Sequence, residues 1–178
     1  MIANDADRAA VDALALEYPA HTLLVASENI AAALRGVRGV ERAILHTLAD
    51  PAALPDLDGA CPLAADASLA SLPAALADEL EAARRNDRAI WVAYVDGEPV
   101  SFAYAPWRSD RWFDVSVDTL ATARQLGLAT LAATAMIRDE RGLGREPVWG
   151  ADHRNVASLR LARRLGFAPV DEIWIASP

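Results

Sequence analysis

The chain has 178 residues, of which 53% are hydrophobic and 24% charged, with a net charge of -8 at pH 7, and that length suits one domain with a proper core. All 17 basic residues are arginine, which excludes a lysine Schiff base, a lysine general base and a Walker-type phosphate lysine. The acidic balance argues against a nucleic-acid or anionic-membrane binder, and Cys61, the sole cysteine, excludes an internal disulfide and a cysteine-built zinc site.

Met1 to Asp5 lacks the basic-then-apolar order of a secretory signal, and no run of about 18 apolar residues suggests a membrane span. A cytoplasmic protein is the expectation. Asp5 to Glu17 places Val11, Leu14 and Ala15 at helical spacing, and Asn29 to Arg35 reads similarly. His21 to Val25 and Val40 to Leu48 read as strands. Pro51, Pro55, Pro62 and Pro73, with Asp56, Asp58 and Gly59, mark residues 50–73 as an irregular connection. Pro73 suits the first turn of a helix running to about Arg85, with Leu76, Leu80 and Ala83 on one face.

Ala89 to Val95 and Pro99 to Tyr104 flank Asp96-Gly97, the pattern of a tight β-hairpin. Trp112 to Thr119 alternates Phe113, Val115 and Val117 with Asp114, Ser116 and Asp118, which predicts an antiparallel strand with one buried face. Gly127 to Arg141 carries Leu128, Leu131, Ala132, Ala135 and Met136 as one helical stripe, stopped by Gly142-Leu143-Gly144. Pro147 to Ala151 reads as a buried strand. A helix then runs from a cap at Asn155 to Gly166, with Phe167 beyond it, and Val170 to Ala176 closes as a strand. The fold class is therefore α/β (α+β), with a mixed, mostly antiparallel sheet flanked by helices.

The segment from Val117 to Thr130 carries the most chemistry. A strand ends, and a helix opens at Arg124-x-x-Gly127-x-Ala129. Small residues there let a ligand approach the backbone, and first-turn N–H groups with the helix dipole favour a phosphate or pyrophosphate. The plainer reading is a loop-easing glycine followed by one more alanine.

Together with Asn155-Val156-Ala157-Ser158 and Leu165-Gly166-Phe167, this segment resembles the GNAT superfamily of acetyl-CoA-dependent N-acetyltransferases. The resemblance covers about residues 73–176. It implies one GNAT-like domain over residues 1–178, with residues 1–72 divergent and 73–178 forming the cofactor-binding core. It also implies acetyl-CoA as cosubstrate, with Val117, Asp118 and Thr119 offering backbone groups to the pantetheine amides and thioester carbonyl. Arg124, Gln125, Leu126, Gly127, Leu128, Ala129 and Thr130 would take the pyrophosphate, and Asn155 would bind the pantetheine arm with Ser158 nearby. The acceptor implied is a primary amine of a small molecule or peptide, attacking directly; a homodimer is common among such proteins. No G-x-S-x-G nucleophile motif is present.

Two positions depart from the family pattern. Ala162 stands where many members have a tyrosine that protonates the leaving thiolate, and Leu126 replaces a basic residue before the motif glycine. The general acid is thereby unassigned, and a non-catalytic acyl-CoA-binding module is the competing reading. Asp118, beside the implied thioester site, is the candidate general base; the alternative is that Asp114, Ser116 and Asp118 merely form a solvated face. Glu98 has a weaker claim. His21, His46 and His153 lack zinc-ligand spacing, so no metal is expected. Trp107, Trp112 and Trp149 suit either a pocket wall or core. Arg160, Arg163 and Arg164 form a basic helix face that is either solvated or turned to a phosphate.

Overall fold

The computed structural model describes residues 23–25, 40–85 and 89–176. The helices expected over Asp5 to Glu17 and Asn29 to Arg35 lie outside the described residues, as do His21 and Thr22 at the start of the first expected strand. Nine strands are described: β1 (Leu23–Val25), β2 (Val40–Leu48), β3 (Ala60–Pro62), β4 (Trp91–Val95), β5 (Glu98–Tyr104), β6 (Trp112–Asp114), β7 (Ser116–Thr119), β8 (Glu146–Asp152) and β9 (Phe167–Ala176). Three described α-helices accompany them: α1 (Ala74–Arg84), α2 (Leu128–Gly142) and α3 (Val156–Arg164).

The chain divides into two compact units. The first holds, among described residues, 23–25, 40–45, 150–159 and 169–176. Its strand order is β1-β9-β2-β8, with Leu23 opposite Ala176 and Val25 opposite Trp174 in an antiparallel pair. Arg42 of β2 pairs with Glu172 of β9 across this sheet.

The second unit holds residues 46–149 and 160–168 and contains a four-stranded antiparallel sheet in the order β3-β4-β5-β7. Its hairpin turns where expected: Asp96 has φ 52° and Gly97 φ 84°, the left-handed pair a two-residue turn of this hand requires. On one face α1 closes a core of Leu69, Leu80, Ala83, Ile90, Val92, Phe102 and Tyr104. α2 packs on β4, β5 and β7, burying Ala132, Ala133, Met136 and Ile137. The stripe read from the sequence is thus rotated: Leu128, Leu131 and Ala135 are only half-buried, while Thr134 and Glu140 are buried.

Two further differences stand out. Residues 50–73 are not wholly irregular, because Pro51–Ala53 form a 3-10 turn and β3 pairs with β4, Cys61 opposite Val92. That pairing is long-range and leaves no local periodicity to read. The segment 112–119 is not one antiparallel strand but two strands with different partners, and this break builds the candidate site.

Candidate active site

β6 runs parallel to β8, with Trp112 opposite Glu146 and Asp114 opposite Val148. Val115 N–H still donates to Val148 O at 3.0 Å. One residue later the chain joins the other sheet: Ser116 faces Tyr104 and Thr119 faces Ser101, antiparallel. Phe113 and Val115 are buried anchors just before this change of partner. Among the described residues β7 pairs with β5 alone and forms the end strand of its sheet. An end strand turns half of its N–H and C=O groups outward. Leu120 N–H donates to Val100 O, so by alternation the Asp118 backbone faces Phe102. Of the three residues expected to bind an extended amide chain, only Val117 and Thr119 turn their backbone groups outward.

Asp114 sits at the change of partner. Burial pushes its carboxyl up to about 6, against the pull of a hydrogen bond from the Val115 backbone. A carboxyl so tuned is a common mark of acid–base sites. The alternating pattern grouped Asp114 with Ser116 and Asp118 as a surface face, and all three are in fact half-buried.

β7 leads through a 3-10 turn, Ala121–Ala123, into the glycine motif. Arg124 is extended and its Nε–H reaches back to Thr119 O at 3.4 Å. Gln125 and Gly127 both have positive φ, 66° and 80°, and such left-handed residues curl successive N–H groups toward a common point. Gly127 is the N-cap of α2 and no side chain caps the helix. The first-turn N–H groups of Leu128, Ala129 and Thr130 are thereby left to a ligand. A Cβ built on Gly127 would have nothing within 4 Å, so the space beside this backbone is open. The residues fit the pyrophosphate the resemblance implies. Leu126 is 63% exposed and adds no charge.

Asp118 and Tyr104 share a face of the β5–β7 pair. The Tyr104 hydroxyl reaches Asp118 Oδ2 at 2.9 Å and also contacts Glu79 Oε2 of α1. Neither Tyr104 nor Glu79 was singled out from the sequence; each sits in an apolar pattern whose meaning depends on a partner at least fourteen residues away.

Asn155 caps α3 as expected: its Oδ1 accepts from Ser158 N–H at 3.1 Å. Both residues belong to the first unit, whereas Val117 to Thr130 form a continuous stretch of the second. Ala162, in the second unit, is fully buried, so α3 offers no proton donor there. The helix ends at Gly166, φ 87°, whose carbonyl accepts from both Ala49 and Asp50 at 3.0 Å. Phe167 then packs edge-on against Trp149, ring centroids 5.4 Å apart, which assigns Trp149 to the core. His46 Nδ1 lies 3.3 Å from Trp149 O, inside the fold. An open pocket of about 260 Å³ lined by Asp58, Trp91, Arg138 and Asp139, among others, includes none of these site residues. Among the described residues no group of three His, Cys, Asp or Glu converges as a metal site, and no helix is long and apolar enough to cross a membrane.

A strand that changes sheets thus runs into an uncapped helix that opens on a left-handed glycine turn. Residues 91–175 match the GNAT acetyltransferase family model. Solved structures agree: a GCN5-related N-acetyltransferase-like protein from Streptococcus suis is 19% identical, with TM-score 0.64, over 86% of this chain and 69% of its own. A GNAT-family acetyltransferase from Colwellia psychrerythraea is 13% identical, with TM-score 0.62, over 87% and 64%. A GNAT-family protein from Novosphingobium aromaticivorans is 18% identical, with TM-score 0.60, over 80% and 66%. At these identities the likeness is one of fold, and the chain spans about two thirds of the length of these proteins. No curated protein matches the chain. Residues 91–175 are thus of the GNAT acetyltransferase family, and the chain shares the fold of these solved structures.

Proposed function

We propose that the chain transfers an acetyl group from acetyl-CoA to a primary amine of a small molecule or peptide, by direct attack and in the cytoplasm. The observation that carries this reading is the end strand β7 running into the uncapped α2, an edge for amides joined to a nest for phosphates. In this proposal residues 73–178 supply the cofactor core. Val117 and Thr119 hold the pantetheine arm through their outward backbone groups, Asp118 lies between them, and residues 124–130 take the pyrophosphate. Asn155 and Ser158 are assigned to cofactor binding by the family resemblance alone.

In the reaction, the neutral amine nitrogen bonds the thioester carbonyl carbon and gives its proton to Asp118. The tetrahedral adduct then expels the CoA thiolate, leaving an amide. A thiolate leaves readily, so the acid absent at Ala162 costs at most the roughly 10²–10⁴-fold that general acid catalysis contributes.

The same buried Ala162 favours a second reading, an acyl-CoA-binding module without turnover. One experiment separates the two: incubate the protein with acetyl-CoA and a panel of amines and follow free thiol. Thiol release that depends on the amine supports transfer. Thermal stabilisation by acetyl-CoA without thiol release supports the binding module. No stabilisation, with Gly127→Glu indistinguishable from wild type, overturns both.

A further inference from the structure

Within the second unit, Tyr104 stands two residues along the same sheet face from Asp118, because Phe102 lies opposite Asp118 and Tyr104 opposite Ser116. Its hydroxyl meets Asp118 Oδ2 of β7 at 2.9 Å and Glu79 Oε2 of α1. Tyr104 is only 2% exposed, Asp118 is half-buried, and Glu79 is exposed. The three groups thus form a line from the proposed base, through a buried phenol, to the surface. A phenol carries one hydrogen, so it fully satisfies one carboxylate at a time. Burial and the two carboxylates push the phenol far up; it keeps a hydrogen and works by exchange, never as a phenolate.

We propose that Tyr104 and Glu79 are positioning residues that act through Asp118, carrying the acceptor amine's proton from Asp118 to solvent. The inference rests on the acetyl-transfer reading with Asp118 as base. As the amine nitrogen bonds the carbonyl carbon, its proton passes to the Asp118 carboxylate. The new carboxyl hands a hydrogen to the Tyr104 oxygen while the phenol gives its own to Glu79. Glu79 then releases a proton to water. One proton enters, one leaves, and the phenol and both carboxylates return to their starting forms.

The competing role is anchoring alone, with the phenol tying α1 to the sheet. Tyr104→Phe keeps the ring and removes the relay; Glu79→Gln removes its outer end. Glu81→Gln is the control, since Glu81 lies on the same helix and pairs with Arg84 at 3.1 Å. With the relay, Tyr104→Phe and Glu79→Gln each lower kcat by about 10²-fold, leave KM for acetyl-CoA unchanged, and reduce the number of protons seen in a solvent deuterium inventory. Glu81→Gln matches wild type. Anchoring alone lowers the melting temperature without this split. Proton NMR supplies a readout independent of turnover: a slowly exchanging phenol hydrogen, absent from Tyr104→Phe and displaced by both Glu79→Gln and Asp118→Asn. Active wild type with unchanged kcat in Glu79→Gln, or a resonance moved by only one carboxylate, overturns the relay and leaves acetyl transfer standing. A wild type that never releases thiol overturns acetyl transfer itself, and the relay's use with it, even where the phenol resonance is shared.

Discussion

At Gly127 two costs can be told apart. Its φ of 80° strains any other residue by about 1–2 kcal/mol, yet a Cβ there meets no protein atom within 4 Å. Gly127→Ala is therefore expected to lose only a few degrees of melting temperature and nearly all stabilisation by acetyl-CoA. Calorimetric melting with and without ligand checks this; stabilisation equal to wild type would remove the pyrophosphate from this turn. Asp114 gives a second residue-level prediction. Its folded carboxyl lies near 6 against 3.8, so the folded state holds more protons than the unfolded one in that window, and stability is lost as pH rises through it. Asp114→Asn removes the penalty, on the order of 3 kcal/mol or about 6–12 °C for a chain of this size. The gain is expected at about pH 7.5 and not below about pH 4. An equal melting difference at both pH values would mean that the surroundings of Asp114 do not hold its carboxyl up. Neither property was legible in the sequence, because desolvation depends on what packs over a side chain and the one-letter pattern shows only what lies beside it.

The elements divide by the range of the forces that make them. The Asp96-Gly97 hairpin, α1, the Asn155 cap and the Gly127 start of α2 were readable because each is set by φ preferences or apolar spacing within a few residues. The partner change at Val115 was not, since Val148 and Tyr104 lie far along the chain, and alternation looks the same in both halves of the strand. Glu140 was missed likewise. It stands one turn beyond Met136, at the edge of the expected stripe, and its side chain is 2% exposed and held by Arg108 Nε at 2.9 Å and Arg145 Nη1 at 3.1 Å. The same arginines bind Ala105 O and Ser109 O, fastening the loop that feeds β6 to the end of α2. Glu140→Ala leaves two guanidinium groups against a buried gap. Because the arginine side chains are 13% and 26% exposed and can partly turn to water, the cost is expected near the low end for a broken buried pair, about 3 kcal/mol. Urea melts with an unchanged slope would measure it, and a loss below about 1 kcal/mol would show the network to be a surface pair. Gly166→Ala should be worse still, for its Cβ would stand 2.2 Å from Asp50 O and 2.9 Å from the Ala53 Cβ; a soluble variant with wild-type melting would refute that packing.

Across the whole molecule the acidity is uneven. Residues 1–107 hold seven arginines against sixteen acids, and residues 108–164 ten against seven. The stretch carrying the cofactor motifs is thus mildly basic inside a protein of net charge -8. With no lysine anywhere, phosphate binding rests on backbone N–H groups and arginine, and these respond differently to salt. Exposed arginines are screened over about 3 Å at 1 M ionic strength, whereas N–H groups in direct contact with an oxygen are not. Acetyl-CoA at a hundred times its Kd should stabilise the fold by about 2.7 kcal/mol, or about 5–10 °C. If the curled turn and the uncapped α2 hold the pyrophosphate, dephospho-CoA should keep most of that shift even at high salt. Pantetheine, which lacks the pyrophosphate, should give little. Equal shifts from pantetheine and dephospho-CoA would leave the β7 edge as the binding element and take the anion site away from Gly127. A shift that vanished in salt would instead assign the anion to arginine side chains, and Arg124, already folded onto Thr119 O, would be the first to replace.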